Sequence, residues 1–283
     1  MSETDKLAAI VNSNGFKYKG HNALSGGDIN SVYKVKTDDQ TLVVKLNNTQ
    51  YLELFEQEAH GLLSLQKSKS FSIPNVVAHG QEGNLSFLIL EYIPSGRPKV
   101  HFWKDFAKQL AQLHRHSQAY FGYHTTNYIG SLKQYNDKRK NAAAFFIEQR
   151  LQPQLQLATA NGHSFNHTDA LFRHCETHIP NEPPALIHGD LWSGNYLLDD
   201  QGAPVLIDPA VAFASREMDL AMMQLFGGFH KSVYFHYNAI FPLIEGWESR
   251  IKLWQLYYVL VHVNLFGRSY FVQAQSVINQ YTS

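Results

Sequence analysis

The segment HGDLWSGN at 188–195 constrains this chain more than any other. Asp190 is followed five positions later by Asn195, and a second carboxylate, Asp208 in LIDPA, comes 18 positions after the first. The flanking residues ALIHGD, NYLLDD and PVLIDP read as short apolar strands, so the interval between the two aspartates spans one short hairpin. A lone GD or SGN reads as a surface turn with an Asx cap. Three polar side chains bracketed by apolar strands read instead as a site, because buried strands fix the positions of the turns that present them.

Transfer of the γ-phosphoryl group of ATP needs a carboxylate to take the proton of the attacking hydroxyl, and hard oxygen ligands to hold Mg²⁺ on the phosphates. Asp190 suits the first task, and Asn195 and Asp208 suit the second. The spacing resembles the catalytic loop of protein kinases, in which Asp-x-x-x-x-Asn is followed by a metal-binding Asp. The HGD form, with Gly189, resembles the phosphotransferases that act on small molecules rather than on proteins.

Upstream residues supply the other parts of an ATP site. SGGDINSVYKVK at 25–36 lies between two strands, and Gly26, Gly27 and Asn30 are placed to form a lid whose backbone N–H groups approach phosphates. Taken alone, GG between strands reads as a hairpin turn. Lys45 sits in the apolar strand TLVVKL, where an unpaired ammonium is costly to bury, so it calls for an anionic partner, either Glu58 or the phosphates. The alternative is an edge-strand lysine reaching out to water. FLILEYI at 87–93 reads as the strand that ends this region, with the backbone of Glu91 and Ile93 available to adenine.

Around these motifs the chain reads as α+β, a protein-kinase-like two-lobe fold. Residues 1–93 form a small antiparallel, β-rich nucleotide-binding lobe crossed by one helix, with Leu54, Phe55, Ala59, Leu62 and Leu63 on its core stripe. A break at IPSGRPKV leads into a larger helical lobe, 94–283, carrying the catalytic loop and acceptor site. There Trp103, Phe106, Ala107, Leu110 and Leu113 recur at helical spacing, and Trp247 to Phe266 is apolar on almost every side, as a buried helix is.

Charge narrows the partners. Lys plus Arg and Asp plus Glu number 24 each, with no basic stripe, which disfavours a nucleic-acid partner. The N-terminal residues lack a basic region followed by a long apolar run, and no apolar stretch approaches the ~20 residues of a membrane span. Cys175 is the single cysteine, so nothing points to an oxidising compartment and the cytoplasm is the expected location.

The segments GGDIN, VVKLN, EAHGLLSL, FLILEYI, HGDLWSGN, LIDPA, REMDLAMMQLFGGF and YYVLVHVNLFG occur in the order found in the fructosamine kinases, also called ketosamine-3-kinases. The resemblance covers nearly the whole chain, and REMDLAMMQLFGGF at 216–229 is its most specific part. It implies ATP and Mg²⁺ as cofactors and, as acceptor, the sugar 3-hydroxyl of a free or protein-bound sugar-amine adduct, hence a role in deglycation. Carried over residue by residue, it implies Asp190 as base, Asn195 and Asp208 as metal ligands, Lys45 with Glu58 as phosphate clamp, and Trp192 as a wall against the sugar. His188 and Asp219 would support the catalytic loop, Asp219 through hydrogen bonds, with a solvated helix position as the alternative for that residue. Asp28 stands where some members carry cysteine in the lid, and SGG replaces the commoner triple glycine.

Aminoglycoside, choline or homoserine kinases share the same fold and remain rivals, as does a scaffold that binds nucleotide without turnover. A polycationic acceptor fits poorly with residues 220–283, where Glu245 and Glu248 face Lys231, Arg250, Lys252 and Arg268. His163, His167, His174, Cys175 and His178 lie close together, but in a chain with 15 histidines composition explains them more simply than zinc. His114 and His116, two apart, point to different helix faces.

Overall fold

The computed structural model describes residues 2–24 and 30–282. The chain divides into two compact units, Met1–Phe102 with Tyr196–Pro209, and Trp103–Asn195 with Ala210–Ser283. The short segment Tyr196–Pro209, which the sequence reading assigns to the second lobe, thus clusters with the first. Gly26 and Gly27, together with Asp28, lie outside the described residues.

The first unit opens with helix α1 (Glu3–Ser13), started by a capping box in which the Ser2 hydroxyl accepts from Asp5 N at 3.1 Å and the Asp5 carboxylate accepts from Ser2 N at 2.9 Å. Then come β1 (Tyr18–Ala23), β2 (Ser31–Thr37), β3 (Thr41–Asn48), α2 (Leu52–Ser68), β4 (Val76–Glu82) and β5 (Leu85–Glu91). The strands form one antiparallel sheet in the order β1-β2-β3-β5-β4, so β3 is interior and Lys45 is not on an edge. Leu7, Ile10 and Val11 of α1 bury against Tyr33, Val35, Leu42, Val44 and Leu46 on one sheet face. Each of those fully buried aliphatic side chains contributes about 1.5–3 kcal/mol. Side chains alternate along a strand, so Lys45 faces away from Val44 and Leu46, toward α2. On α2, Phe55, Ala59, Leu62 and Leu65 are buried; Leu65 takes the core place expected of Leu63, which is exposed.

The second unit takes in all of α3 (Phe102–His114) but its first residue and continues through the hairpin β6 (Asn127–Ile129) and β7 (Leu132–Gln134). Helix α4 (Ala142–Phe146) runs through a π-turn at Ile147–Leu151 into α5 (Gln152–Ala160), followed by α6 (Thr168–His178) and β8 (Ala185–Ile187). The hairpin β9 (Tyr196–Leu198) and β10 (Pro204–Leu206) belongs to the first unit. Thereafter β11 (Ala212–Ala214) pairs antiparallel with β8, and α7 (Glu217–Leu225), α8 (Ser232–Ile240), α9 (Trp247–Phe266) and α10 (Phe271–Gln280) complete the unit. Helix α9 is its spine: Leu253, Trp254, Leu256 and Leu260 are wholly enclosed, which is why its sequence shows so little polar face. Among the described residues, no helix is long and apolar enough to cross a membrane.

Candidate active site

In the first unit, Lys45 is 6% exposed and its ammonium bonds two carboxylates, Glu58 Oε1 at 2.7 Å and Asp208 Oδ1 at 2.6 Å. Burial alone lowers a lysine pKa, but the two carboxylates outweigh it, and Lys45 is held above its ordinary value as a cation. Asp208 follows β10 and adopts a left-handed backbone, φ 54°, which aspartate tolerates better than most residues. Asn30 lies beside β3, its Oδ1 accepting from Asn47 Nδ2 at 2.8 Å. At the end of β5, Glu91 donates its N–H to Asn75 O at 2.9 Å and its carboxylate accepts from Asn75 Nδ2 at 2.8 Å. Ile93 is half-buried just beyond the strand.

In the second unit, the loop after β8 carries His188, Asp190, Trp192 and Asn195. The Asn195 amide donates to Asp190 twice, to the carbonyl at 2.9 Å and to Oδ2 at 3.1 Å, and so fixes the orientation of the carboxylate. Asp190 N in turn donates to His188 Nδ1 at 3.3 Å. Gly189 has φ +84°, and a Cβ there would lie 2.0 Å from the Ala210 carbonyl oxygen, so no other residue fits between His188 and Asp190.

The loop hangs from α7. Asp219, fully buried, accepts from His188 N at 2.7 Å and Gly189 N at 2.9 Å, and His114 Nε2 lies 3.2 Å from the same carboxylate. Asp219 is therefore not a solvated helix residue. The His114 Nδ1 meets the Tyr237 hydroxyl at 2.7 Å, so a neutral imidazole with its proton on Nε2 satisfies both neighbours. The preceding residues of REMD are equally committed. Glu217, fully buried, accepts from Arg250 at 2.6 and 2.9 Å and from Trp254 Nε1 at 2.7 Å. The Arg216 guanidinium bonds Glu182 at 2.5 Å and the carbonyls of Phe241 and Pro242.

Two glycines shape the surface beside the loop. A Cβ at Gly194 would fall 2.3 Å from the Trp192 indole, so Gly194 provides the slot over which that ring lies. At Gly228, φ +88°, a Cβ would fall 2.4 Å from Ser193 Cβ. The FGGF turn after α7 therefore lies against the loop after β8, and Phe229 fixes its far end on α3, with ring centres 5.8 Å from Trp103 and 5.6 Å from Phe106.

With this geometry in view, the family profile for fructosamine kinase matches residues 1–283. The chain belongs to the fructosamine kinase family. Within the family, a probable ketoamine kinase of Vibrio parahaemolyticus is 40% identical over 92% of this chain and 91% of its own length. One from Enterococcus faecium is 37% identical over 90% and 93% respectively. A crystal structure from Haemophilus somnus, a candidate fructosamine-3-kinase, is 30% identical, covers 98% of this chain and 96% of its own, and superposes with a TM-score of 0.88. An aminoglycoside phosphotransferase solved with ADP and hygromycin B, 15% identical at a TM-score of 0.63, shares the kinase-like α+β fold.

In this fructosamine kinase family member, the expected site residues thus form two groups, Lys45, Glu58, Asp208, Asn30, Glu91 and Ile93 in the first unit, and His188, Asp190, Trp192, Asn195 and Asp219 in the second. Sequence reasoning missed His114, which it weighed only as a partner for His116, and missed the Glu217–Arg250 pair. The histidine cluster around Cys175 resolves into a stack of His174 on His178, ring centres 4.0 Å apart, and a buried thiol pushed up to about 12 by its surroundings. Among the described residues, no group of three or more His, Cys, Asp or Glu is arranged to hold a metal ion.

Proposed function

We propose that this chain is an ATP-dependent kinase that phosphorylates the sugar 3-hydroxyl of ketosamines, acting in the cytoplasm on free or protein-bound sugar-amine adducts. Asp190 takes the proton of the 3-hydroxyl as its oxygen bonds to the γ-phosphorus and ADP departs. The observation that carries this reading is the hold on that carboxylate: Asn195 clamps Asp190 directly, and Asp219 suspends the backbone just before it. An aspartate so fixed is built to meet one oxygen in one place, and near-attack positioning is a large part of the rate enhancement in phosphoryl transfer.

Lys45, oriented by Glu58, pairs with the α- and β-phosphates, while Gly26, Gly27 and Asn30 close over them and the backbone of Glu91 and Ile93 meets adenine. Residues 1–93 then serve as the nucleotide-binding lobe and 94–283 as the lobe for acceptor and catalytic loop. Asn195 and Asp208 are suited to Mg²⁺, since both offer hard oxygens: the Asn195 Nδ2 is spent on Asp190, which leaves oxygen as the ligand atom of that amide, and the Asp208 side chain is 37% exposed. Bound Mg²⁺ neutralises charge that develops on the phosphates. Trp192 forms a wall against the sugar. A phosphate at the 3-position makes the adduct unstable, so the sugar is shed and the amine restored.

ADP release measured with a fructosamine or ribulosamine, then with choline and kanamycin, tests the acceptor, and mass spectrometry of the product fixes the position. Asp190→Ala is expected to lower turnover by roughly 10²- to 10⁴-fold. Near-normal turnover in that variant refutes the assignment.

A further inference from the structure

Beside the catalytic loop, the second unit exposes a run of aromatic rings that phosphoryl transfer does not use. Trp192, Phe226 and Phe266 are 39%, 45% and 54% exposed. They are joined through half-buried His262: ring centres lie 6.4 Å apart for Trp192 and Phe226, 5.0 Å for Phe226 and His262, and 5.4 Å for His262 and Phe266. Tyr270 closes the group, 5.0 Å from His262. A contiguous exposed aromatic surface of this kind marks a binding site more often than an accident of packing.

The rings are held by separate devices. Gly194 seats Trp192, and the turn that follows Phe226 at the end of α7 is set against Ser193 through Gly228. Helix α9 ends at Phe266, and Gly267, φ +80°, turns the chain so that Tyr270 returns to His262. His262 Nδ1 donates to the Tyr258 carbonyl at 2.8 Å, which fixes the ring plane. Burial holds its pKa below the ordinary imidazole value, which favours the neutral ring.

A ketosamine has two ends, a polar sugar whose hydroxyl must reach Asp190 and an amine with its substituent. The aromatic run begins two residues from Asp190 and passes by way of the end of α7 to the end of α9. Aromatic faces attract apolar chains and rings by contact and attract ammonium groups through the ring quadrupole. We propose that Phe226, His262, Phe266 and Tyr270 form the subsite for the amine-borne arm of the acceptor, an alkyl or aryl ammonium, with Trp192 at its sugar end. The inference rests on the ketosamine reading above and adds what the arm must be.

The test compares two fructose adducts, one of methylamine and one of benzylamine. The wild-type protein is expected to favour the benzylamine adduct in kcat/KM by about 5- to 10-fold, the range that one aromatic contact with its ring supports, since both adducts carry the same ammonium. Phe226→Ala and Phe266→Ala each bring that ratio close to 1, and Phe266→Tyr retains it. Benzylamine alone inhibits the wild-type protein in competition with the adduct and not with ATP, a measurement that needs no variant. Equal kcat/KM for the two adducts in the wild type, or an unchanged ratio in both alanine variants, overturns the subsite alone. A wild-type protein that phosphorylates neither adduct overturns the ketosamine reading itself.

Discussion

Replacing Asp219 by asparagine tests whether α7 holds in place the loop that carries the proposed base, Asp190. The carboxylate accepts two backbone N–H groups, at 2.7 and 2.9 Å, and also faces His114, all within a fully buried environment. Asparagine offers one acceptor oxygen where aspartate offers two, and its NH₂ then confronts whichever N–H has lost a partner. An unsatisfied buried donor costs about 1–3 kcal/mol, and hydrogen bonds to charged groups contribute about 1.5–3 kcal/mol each, so a loss of about 3 kcal/mol is expected. In a chain of this size that lowers Tm by roughly 6–12 °C. Because the bonds act on His188 and Gly189, a displacement of about 1 Å there moves Asp190 and lowers kcat by roughly 10²-fold at temperatures well below the new Tm. The KM for ATP is expected to stay near the wild-type value, a pattern that general loss of stability does not produce. Calorimetry and steady-state kinetics on the same preparation check both. A stability change under about 0.5 kcal/mol, the range of ordinary surface substitutions, refutes the assignment of Asp219 as the anchor, and so does an unchanged kcat.

Arg250→Ala leaves the enclosed Glu217 carboxylate with only the Trp254 N–H as a charge-neutral partner, and is expected to destabilise the protein by about 3–5 kcal/mol, measured by urea unfolding. Burial holds His114 below the ordinary imidazole range despite Asp219, so on acidification the unfolded chain takes up that proton first, at about pH 6.5. The stability contribution is therefore complete above that pH and is lost as pH falls below it. His114→Gln, which keeps a donor for Asp219, is expected to flatten the fall in unfolding midpoint between about pH 6.5 and 5. The comparison with wild type cancels other groups, including Glu58, whose carboxyl burial lifts.

Local chemistry determined what was legible in the sequence. The strands around Lys45 and the helix carrying Glu58 were readable because each obeys a simple period, and the Lys45–Glu58 contact follows from one strand face meeting one helix face. Asp190, Asn195 and Asp208 stood out in the sequence because few chemistries need those residue types at those spacings. The second carboxylate on Lys45 was not, since no local pattern brings residue 208 to residue 45. Nor was the grouping of β9 and β10 with the first unit, which depends on pairings such as Leu206 N to Ser72 O, far apart in the chain. His114 escaped notice because its partner, Asp219, lies more than a hundred residues away. The indole slot at Gly194 leaves a trace only in retrospect: a glycine two residues after a tryptophan reads as a turn until the ring is seen to occupy the space of the missing Cβ.

Segment 216–229 does two jobs with two kinds of residue. Arg216, Glu217 and Asp219 spend every charge on internal partners, so their work is to position, and substitution there costs stability and loop geometry together. Phe226 and Phe229, across the two glycines, point their rings at other aromatics, one toward exposed Trp192 and the other onto α3. A charge buried in a hydrogen-bond network tolerates almost no replacement, whereas a half-exposed ring tolerates many at small cost in stability. Changes in acceptor preference within this architecture are therefore expected to arise at Phe226, Phe266 and Tyr270, while REMD stays fixed. A survey of single substitutions scored for both folding and acceptor choice separates the two classes, and acceptor preference that shifts with Glu217 or Asp219 at unchanged stability is the result that contradicts this division.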